Sequence, residues 1–316
     1  MADIILETKN LKKYFATRTG PLRAVDDVSL QIERGKTLGI VGESGCGKST
    51  LGRAILRLHE PTSGQIIFDG QDITHIKEKE IRKLRREMQI IFQDPYASLD
   101  PRWTVYDTIA EPLIKQKLCK DKKELSERVR ALMKQVGLAE RLINTYPHEL
   151  DGGRRQRIGI ARALASTPKF IVCDEPVSAL DVSIQAQILN LLEDLQEELG
   201  LTYIFITHDL SVVHHLADEI AVMYLGKMVE KAPTLELFEN PLHPYTRALL
   251  SAMPVPDIHH KTERILLRGE ITSPKNLPDY CRFCKRCYQA KEDCSRIPEP
   301  ELIEVSAKHF VACHHL

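Results

Sequence analysis

The chain has no uninterrupted apolar run near the ~18–20 residues that span a bilayer, so no transmembrane segment is expected. It has no net charge either, since 44 basic side chains are balanced by 44 acidic ones. Without a global basic field there is little to hold a nucleic acid, and none is expected among its partners. The N-terminus, Met1-Ala2-Asp3-Ile4-Ile5-Leu6-Glu7, lacks a basic stretch followed by an apolar one. No signal peptide is therefore expected, and the protein is expected to stay in the cytoplasm. No internal repeat is evident. What is present is ordinary for a folded chain, with 28% charged and 43% hydrophobic residues. The 316 residues suffice for one large core plus an appendage.

Against that background one motif stands out. Residues 42 to 50 read Gly42-Glu43-Ser44-Gly45-Cys46-Gly47-Lys48-Ser49-Thr50, directly after the apolar run Leu38-Gly39-Ile40-Val41. This is a complete G-x-x-x-x-G-K-S phosphate loop in the strand-then-helix context its chemistry needs. Backbone N–H groups of such a turn cradle phosphates, helped by the positive end of the helix that follows. Lys48 reaches phosphate oxygens and the Ser49 hydroxyl ligates Mg²⁺, which implies a nucleoside triphosphate.

The rest of the chain fits around that loop. Ile4-Ile5-Leu6 and residues 25–32 read as strands with a Gly20-Pro21 turn between them, and residues 65–68 as another. Residues 77–88 are helical in composition, 89–92 form an apolar strand, and 104–164 turn helical. Short apolar strands at 170–173 and 203–206 flank an amphipathic helix at 183–199. Strands alternating with helices predict a three-layer α/β core with a helical subdomain hung on it. After residue 232, prolines at 233, 241, 244, 254, 256, 274, 278, 298 and 300 predict a loop-rich tail.

Two further sites carry chemistry. Asp174-Glu175 ends the strand 170–173, where Asp174 would hold Mg²⁺ and Glu175 would polarise an attacking water. His208, just past the strand 203–206, stands where an imidazole contacts a γ-phosphate. In the tail, Cys281, Cys284, Cys287, Cys294 and Cys313 crowd together, which in a reducing compartment reads as metal ligation before disulfides. Thiolates suit iron–sulfur clusters and zinc alike, and Cys281-x2-Cys284-x2-Cys287 resembles a ferredoxin-type run.

The phosphate loop, Gln93, Leu150-Asp151-Gly152-Gly153-Arg154, Asp174-Glu175, Ser178-Ala179-Leu180-Asp181 and His208 occur in the order seen in ATP-binding cassette (ABC) ATPases. The resemblance covers roughly residues 3–250. Within that family, Gln93–Arg102, Val177–Ser183 and Asn240–Thr246 resemble the dipeptide/oligopeptide (and nickel) importer branch, in particular its F-type subunit. It implies a P-loop NTPase core with an antiparallel β subdomain. The ATPase domain would span residues 1–250 (helical subdomain about 94–164) and a loop-rich C-terminal extension 251–316.

Family roles follow by position. Phe15, or its neighbour Tyr14, would stack on adenine; Gln93 would touch Mg²⁺ and sense a membrane partner; Glu175 would be the catalytic base. Asp181 would communicate across a dimer of cassettes, and His208 would be the switch histidine. Asp151-Gly152-Gly153 would close on the partner's ATP, although Asp151 replaces the usual serine and Arg154 the usual glutamine. Cys281, Cys287, Cys294 and Cys313 would hold a [4Fe-4S] cluster, with zinc as the alternative and Cys284 as a competing ligand. The implied partners are a second, related ATPase subunit, two membrane permeases and, indirectly, an extracytoplasmic solute-binding protein, at the cytoplasmic face of the membrane. The implied cargo is di- or oligopeptides; a nickel or other small-solute importer, or a soluble cassette ATPase, are the alternatives. Because every catalytic motif precedes residue 210, single Ser replacements of the tail cysteines are expected to leave ATP binding intact, and metal is expected to be the tail's staple.

Overall fold

A computed structural model describes residues 3–18, 20–253, 263–269, 275 and 277–315. The chain divides into two compact units, Met1–His75 with Phe205–Leu316, and Ile76–Ile204.

The first unit begins with a long antiparallel hairpin, β1 (Ile4–Thr17) and β2 (Gly20–Glu33). The turn falls earlier than the Gly20-Pro21 expectation. Thr17 faces Gly20 and donates its hydroxyl to the Gly20 carbonyl at 2.6 Å, and Pro21 pairs with Ala16. Proline is tolerated there because β2 is an edge strand. Buried Val28, Leu30 and Ile32 alternate with exposed Asp27, Ser29 and Gln31, the period of a strand with one covered face. β3 (Thr37–Val41) is buried at all five positions and feeds, through the glycine loop, into α1 (Lys48–Ile55). β4 (Ser63–Phe68) and β5 (Gln71–Asp72) complete a four-stranded sheet of order β2-β1-β4-β5.

The second unit contains α2 (Glu78–Leu84), β6 (Met88–Ile91), α3 (Pro95–Ser98), α4 (Val105–Lys115), α5 (Lys122–Gln135) and α6 (Gly152–Leu164). These are followed by β7 (Phe170–Asp174), α7 (Val182–Leu199) and β8 (Thr202–Ile206), the last leading the chain out of the unit. β6 and β7 are parallel, with Met88 opposite Phe170 and Ile91 opposite Cys173. Helix starts are chemically marked: Thr104 and Asp107 form a reciprocal capping box for α4, and Asp121 caps α5. α7 buries Ile188, Leu192 and Leu195 on one face and stops at Gly200, which takes the left-handed conformation.

Back in the first unit come α8 (Leu210–Leu216), β9 (Glu219–Tyr224), β10 (Lys227–Pro233), α9 (Thr234–Glu239) and α10 (Pro244–Ser251). β11 (Ile303–Ser306) and β12 (His309–Val311) close the chain. Here the strand order is β11-β12-β10-β9-β3, with β3 and β9 parallel. The stretch just after residue 232 is therefore helical, not loop. Pro233 precedes α9 and Pro244 sits in the first turn of α10, positions whose N–H has no helical partner to lose. Prolines 254, 256 and 274 lie outside the described residues. Among the described residues, no helix is long and apolar enough to cross a membrane.

Candidate nucleotide site

In the first unit the phosphate loop is held by backbone contacts that only glycine permits. A Cβ on Gly42 (φ +150°) would lie 2.2 Å from the Met223 carbonyl oxygen, and one on Gly47 (φ +112°) 2.0 Å from that of Ala24. Gly47 is the N-cap of α1, and the helix's first turn carries no acidic residue, so its amides face a site suited to an anion. Lys48 is buried, and its Nζ donates to the carbonyls of Gly42 (2.7 Å) and Glu43 (3.0 Å). Ser44 and Gly45 are exposed at the loop tip, while Ser49 and Thr50 are half-buried at the start of α1. Burial pushes the Cys46 thiol up, so it is an inert packing group.

His208 is exposed and follows Thr207, whose N–H donates to the Ile40 carbonyl at 3.2 Å. That bond places His208 at the end of β3 from which the phosphate loop springs. The two aromatic candidates differ sharply. Tyr14 donates its hydroxyl to buried Asp26, and burial together with that bond pushes it up to about 12. Phe15 carries no such tie; its ring meets His59 edge-on at 5.6 Å, and Lys13 Nζ lies 4.9 Å from its centroid.

In the second unit β7 ends in buried Asp174. Glu175, the next residue, has φ +47°, a left-handed conformation that is costly for a non-glycine residue and clusters at functional sites. Gln93 Nε2 donates to Glu175 Oε2 at 2.9 Å, so the structure brings these two candidates together. Asp181 is exposed at the N-cap of α7. Asp151 caps α6, accepting the Arg154 N–H at 2.7 Å, while Arg154 Nη1 lies 3.3 Å from its other oxygen. The unusual acid at the signature is thus paired with the unusual base. Gly152 and Gly153 allow α6 to approach α7: a Cβ on Gly153 would lie 2.6 Å from Ile184 Cγ2. Arg155, the next residue of the signature run, is buried with its guanidinium 3.5 Å from the Tyr96 ring centroid, a contact the sequence did not foretell.

The five tail cysteines line one small cavity of ≈ 20 Å³. Burial pushes the Cys281 thiol up to about 12 and raises Cys284, Cys287 and Cys313 as well. Among the described residues, Asp293, Cys294 and His315 bring three ligand atoms within 4.8 Å of one another. Cys284 lines the cavity with the others, so its lining does not single out four ligands.

Side-chain contacts also anchor the tail. Phe283, 2% exposed, packs against Tyr224, Tyr245 and His243 at centroid distances of 5.2, 5.4 and 5.6 Å. Arg282 pairs with Asp26 and with Glu299, and donates to the Leu225 carbonyl at 2.6 Å. Buried His309 and Glu230 meet at 2.8 Å where β12 pairs with β10.

Residues 25–178 match the family described as ABC transporter, and residues 229–294 the oligopeptide/dipeptide transporter C-terminal region. The chain is 53% identical over 99% of its length to "Oligopeptide transport ATP-binding protein AppF" of Bacillus subtilis, covering 97% of that protein. It is 58% identical to "Oligopeptide transport ATP-binding protein OppF" of the same organism over 84% of this chain and 87% of that one. Among solved structures, the ATP-binding cassette MJ0796 in a dimeric post-hydrolysis state with ADP and Pi superposes with a TM-score of 0.67. It is 32% identical, and the match covers 72% of this chain and 98% of that one.

Proposed function

The chain belongs to the family of ABC transporter ATP-binding proteins, and on that premise we propose that it is the ATP-hydrolysing subunit of a di- or oligopeptide importer. The observation that carries this reading is the 53% identity, across nearly the whole chain, to a protein named for oligopeptide transport. In this reading the loop amides of residues 42–47 and Lys48 bind the β- and γ-phosphates, Lys48 exchanging its two carbonyl partners for phosphate oxygens. The Ser49 hydroxyl, the Asp174 carboxylate and the Gln93 amide carbonyl are hard oxygen donors of the kind Mg²⁺ takes. Mg²⁺ supplies charge neutralisation for the phosphates when bound. Glu175, held by Gln93, takes the proton of the attacking water, and His208 contacts the γ-phosphate. Phe15 stacks on adenine, since the Tyr14 hydroxyl is committed to Asp26.

Asp151, Gly152, Gly153 and Asp181 act on the site of a second, related cassette subunit. That pair works on two membrane permeases at the cytoplasmic face of the membrane, served from outside by a solute-binding protein. Cys281, Cys287, Cys294 and Cys313 would hold a [4Fe-4S] cluster at the cavity that the five tail cysteines line, since thiolates suit such a group, and zinc is the second occupant to test. Binding requires loss of protons that burial makes harder to remove, so loading should rise with pH.

Co-expression with the permeases and the partner cassette tests the function. ATP turnover and peptide uptake in vesicles are expected, and Lys48→Ala in this chain should cut turnover strongly. Turnover within about two-fold of wild type would reject the site. Iron and zinc analysis of anaerobically prepared protein tests the cavity: single Ser replacements at Cys281, Cys287, Cys294 or Cys313 should remove the cluster absorbance, whereas Cys284→Ser should retain it.

A further inference from the structure

We propose that Arg286, in the C-terminal extension, is a positioning residue of the nucleotide site that acts through Glu43 of the phosphate loop. It neutralises the Glu43 carboxylate and keeps it turned from the incoming triphosphate. The inference rests on the reading that this loop binds ATP and adds to it a residue 243 positions away.

Every polar group of Glu43 is committed. Its N–H donates to the Tyr245 hydroxyl at 2.9 Å, its carbonyl accepts from Lys48 at 3.0 Å, and its carboxylate takes both Nη atoms of Arg286 at 2.6 and 2.8 Å. The last is a bidentate fork, the strongest form of such a pair, and the two side chains are 20% and 7% exposed. Arg286 is held in place by its own surroundings. The N–H groups of Arg286 and Cys287 both donate to the Phe283 carbonyl at 2.9 Å, and Phe283 is locked among Tyr224, Tyr245 and His243. The same Tyr245 that grips the Glu43 amide therefore also packs on the residue that orients Arg286. From the other side, the Gly226 N–H donates to the Cys46 carbonyl at 2.8 Å, tying the turn after Tyr224 to the loop.

The sign of the effect follows from charge. A loop carboxylate is a poor neighbour for a triphosphate, because like charges repel strongly where water is excluded. With Arg286 present the carboxylate is neutralised; with Arg286 removed it becomes an unpaired negative charge at the mouth of the site. Removing Glu43 as well abolishes the repulsion. A residue that merely stabilised the fold would behave otherwise, because the double replacement would be at least as damaging as the single one.

The test is ATP affinity of the full chain in EDTA, where no turnover occurs, for Arg286→Gln, Glu43→Gln and the double variant, each checked for folding by its melting transition. Arg286→Gln should raise the ATP Kd roughly ten-fold, and high salt should shrink the defect. The double variant should bind ATP within about three-fold of Glu43→Gln, the reference against which the Arg286 effect is read. Wild-type affinity in Arg286→Gln, or a double variant as weak as Arg286→Gln, overturns the proposal. If Arg286→Gln does not fold, Arg286→Lys carries the test: affinity within about three-fold supports charge neutralisation, and a roughly ten-fold loss rejects it. Lys48→Ala measured alongside separates the two readings, since undiminished ATP binding there would reject the nucleotide site itself.

Discussion

Replacing Phe283 by Ala would remove the ring around which the C-terminal extension docks. The side chain is 2% exposed and meets three ring neighbours, Tyr224, Tyr245 and His243, all of them buried. Truncating a buried Phe to Ala costs about 3–5 kcal/mol, the spread reflecting how far the site collapses. Edge-on and tilted ring pairs add about 0.5–1.5 kcal/mol each beyond buried area, though not additively. Collapse is limited here, because Tyr245 is fixed by its bond to Glu43 and Tyr224 by the strand β9. The upper half of the range, about 4–5 kcal/mol, is therefore expected. The assay is guanidinium unfolding of chelator-treated protein, read as a shift in midpoint at constant slope. Hydrogen exchange at residues 281–287 and 309–311 should rise in parallel, since the loss is capped by the local stability of this segment. A loss under about 1 kcal/mol in the metal-free protein would mean that Phe283 does not hold the tail.

Asp151→Ser with Arg154→Gln should leave stability within about 1 kcal/mol, because serine also caps a helix and exposed ion pairs are weak; its effect on turnover should appear when the partner's phosphate loop is intact and vanish when that loop's lysine is replaced. An equal effect in both backgrounds would refute the assignment of this signature to the partner's site. Burial holds His243 neutral, pushing it down from 6.5 to about 3. Below pH 6.5 the unfolded chain gains a proton that the folded chain refuses. Stability should then fall by up to about 1.4 kcal/mol per pH unit until about pH 3, and His243→Asn should flatten that limb in denaturation scans; superimposable limbs would contradict it.

Much of the nucleotide site was legible because its motifs are local. Leu38-Gly39-Ile40-Val41 followed by the glycine loop needs only short-range sequence to predict strand, turn and helix, and Asp174-Glu175 is fixed by the end of an apolar strand. The docking of the tail was not legible. Glu43 and Arg286 are 243 residues apart, and β10 pairs with β12 through Glu230 and Val311; neither has a local signature. Position along the chain is no guide to position in space here, because Arg286 of the tail meets Glu43 of the glycine loop. Pro233 and Pro244 were misleading in a different way, since a proline is a breaker inside a helix and an ordinary residue just before it or in its first turn. Tyr245 was visible within Asn240–Thr246, but the bond from its hydroxyl to the loop required the fold.

Hydrolysis through Glu175 is tested most directly by Glu175→Gln in the assembled importer, under single-turnover conditions with the partner's phosphate-loop lysine replaced. The amide keeps the shape and still accepts from Gln93, so the fold around φ +47° is retained while the base is lost. The rate should fall roughly 10²–10⁴-fold, about 2.7–5.5 kcal/mol in the barrier, while ATP binding persists and a nucleotide-bound cassette dimer accumulates. A rate within a few-fold of wild type would contradict the assignment of this chain's own site as a working ATPase.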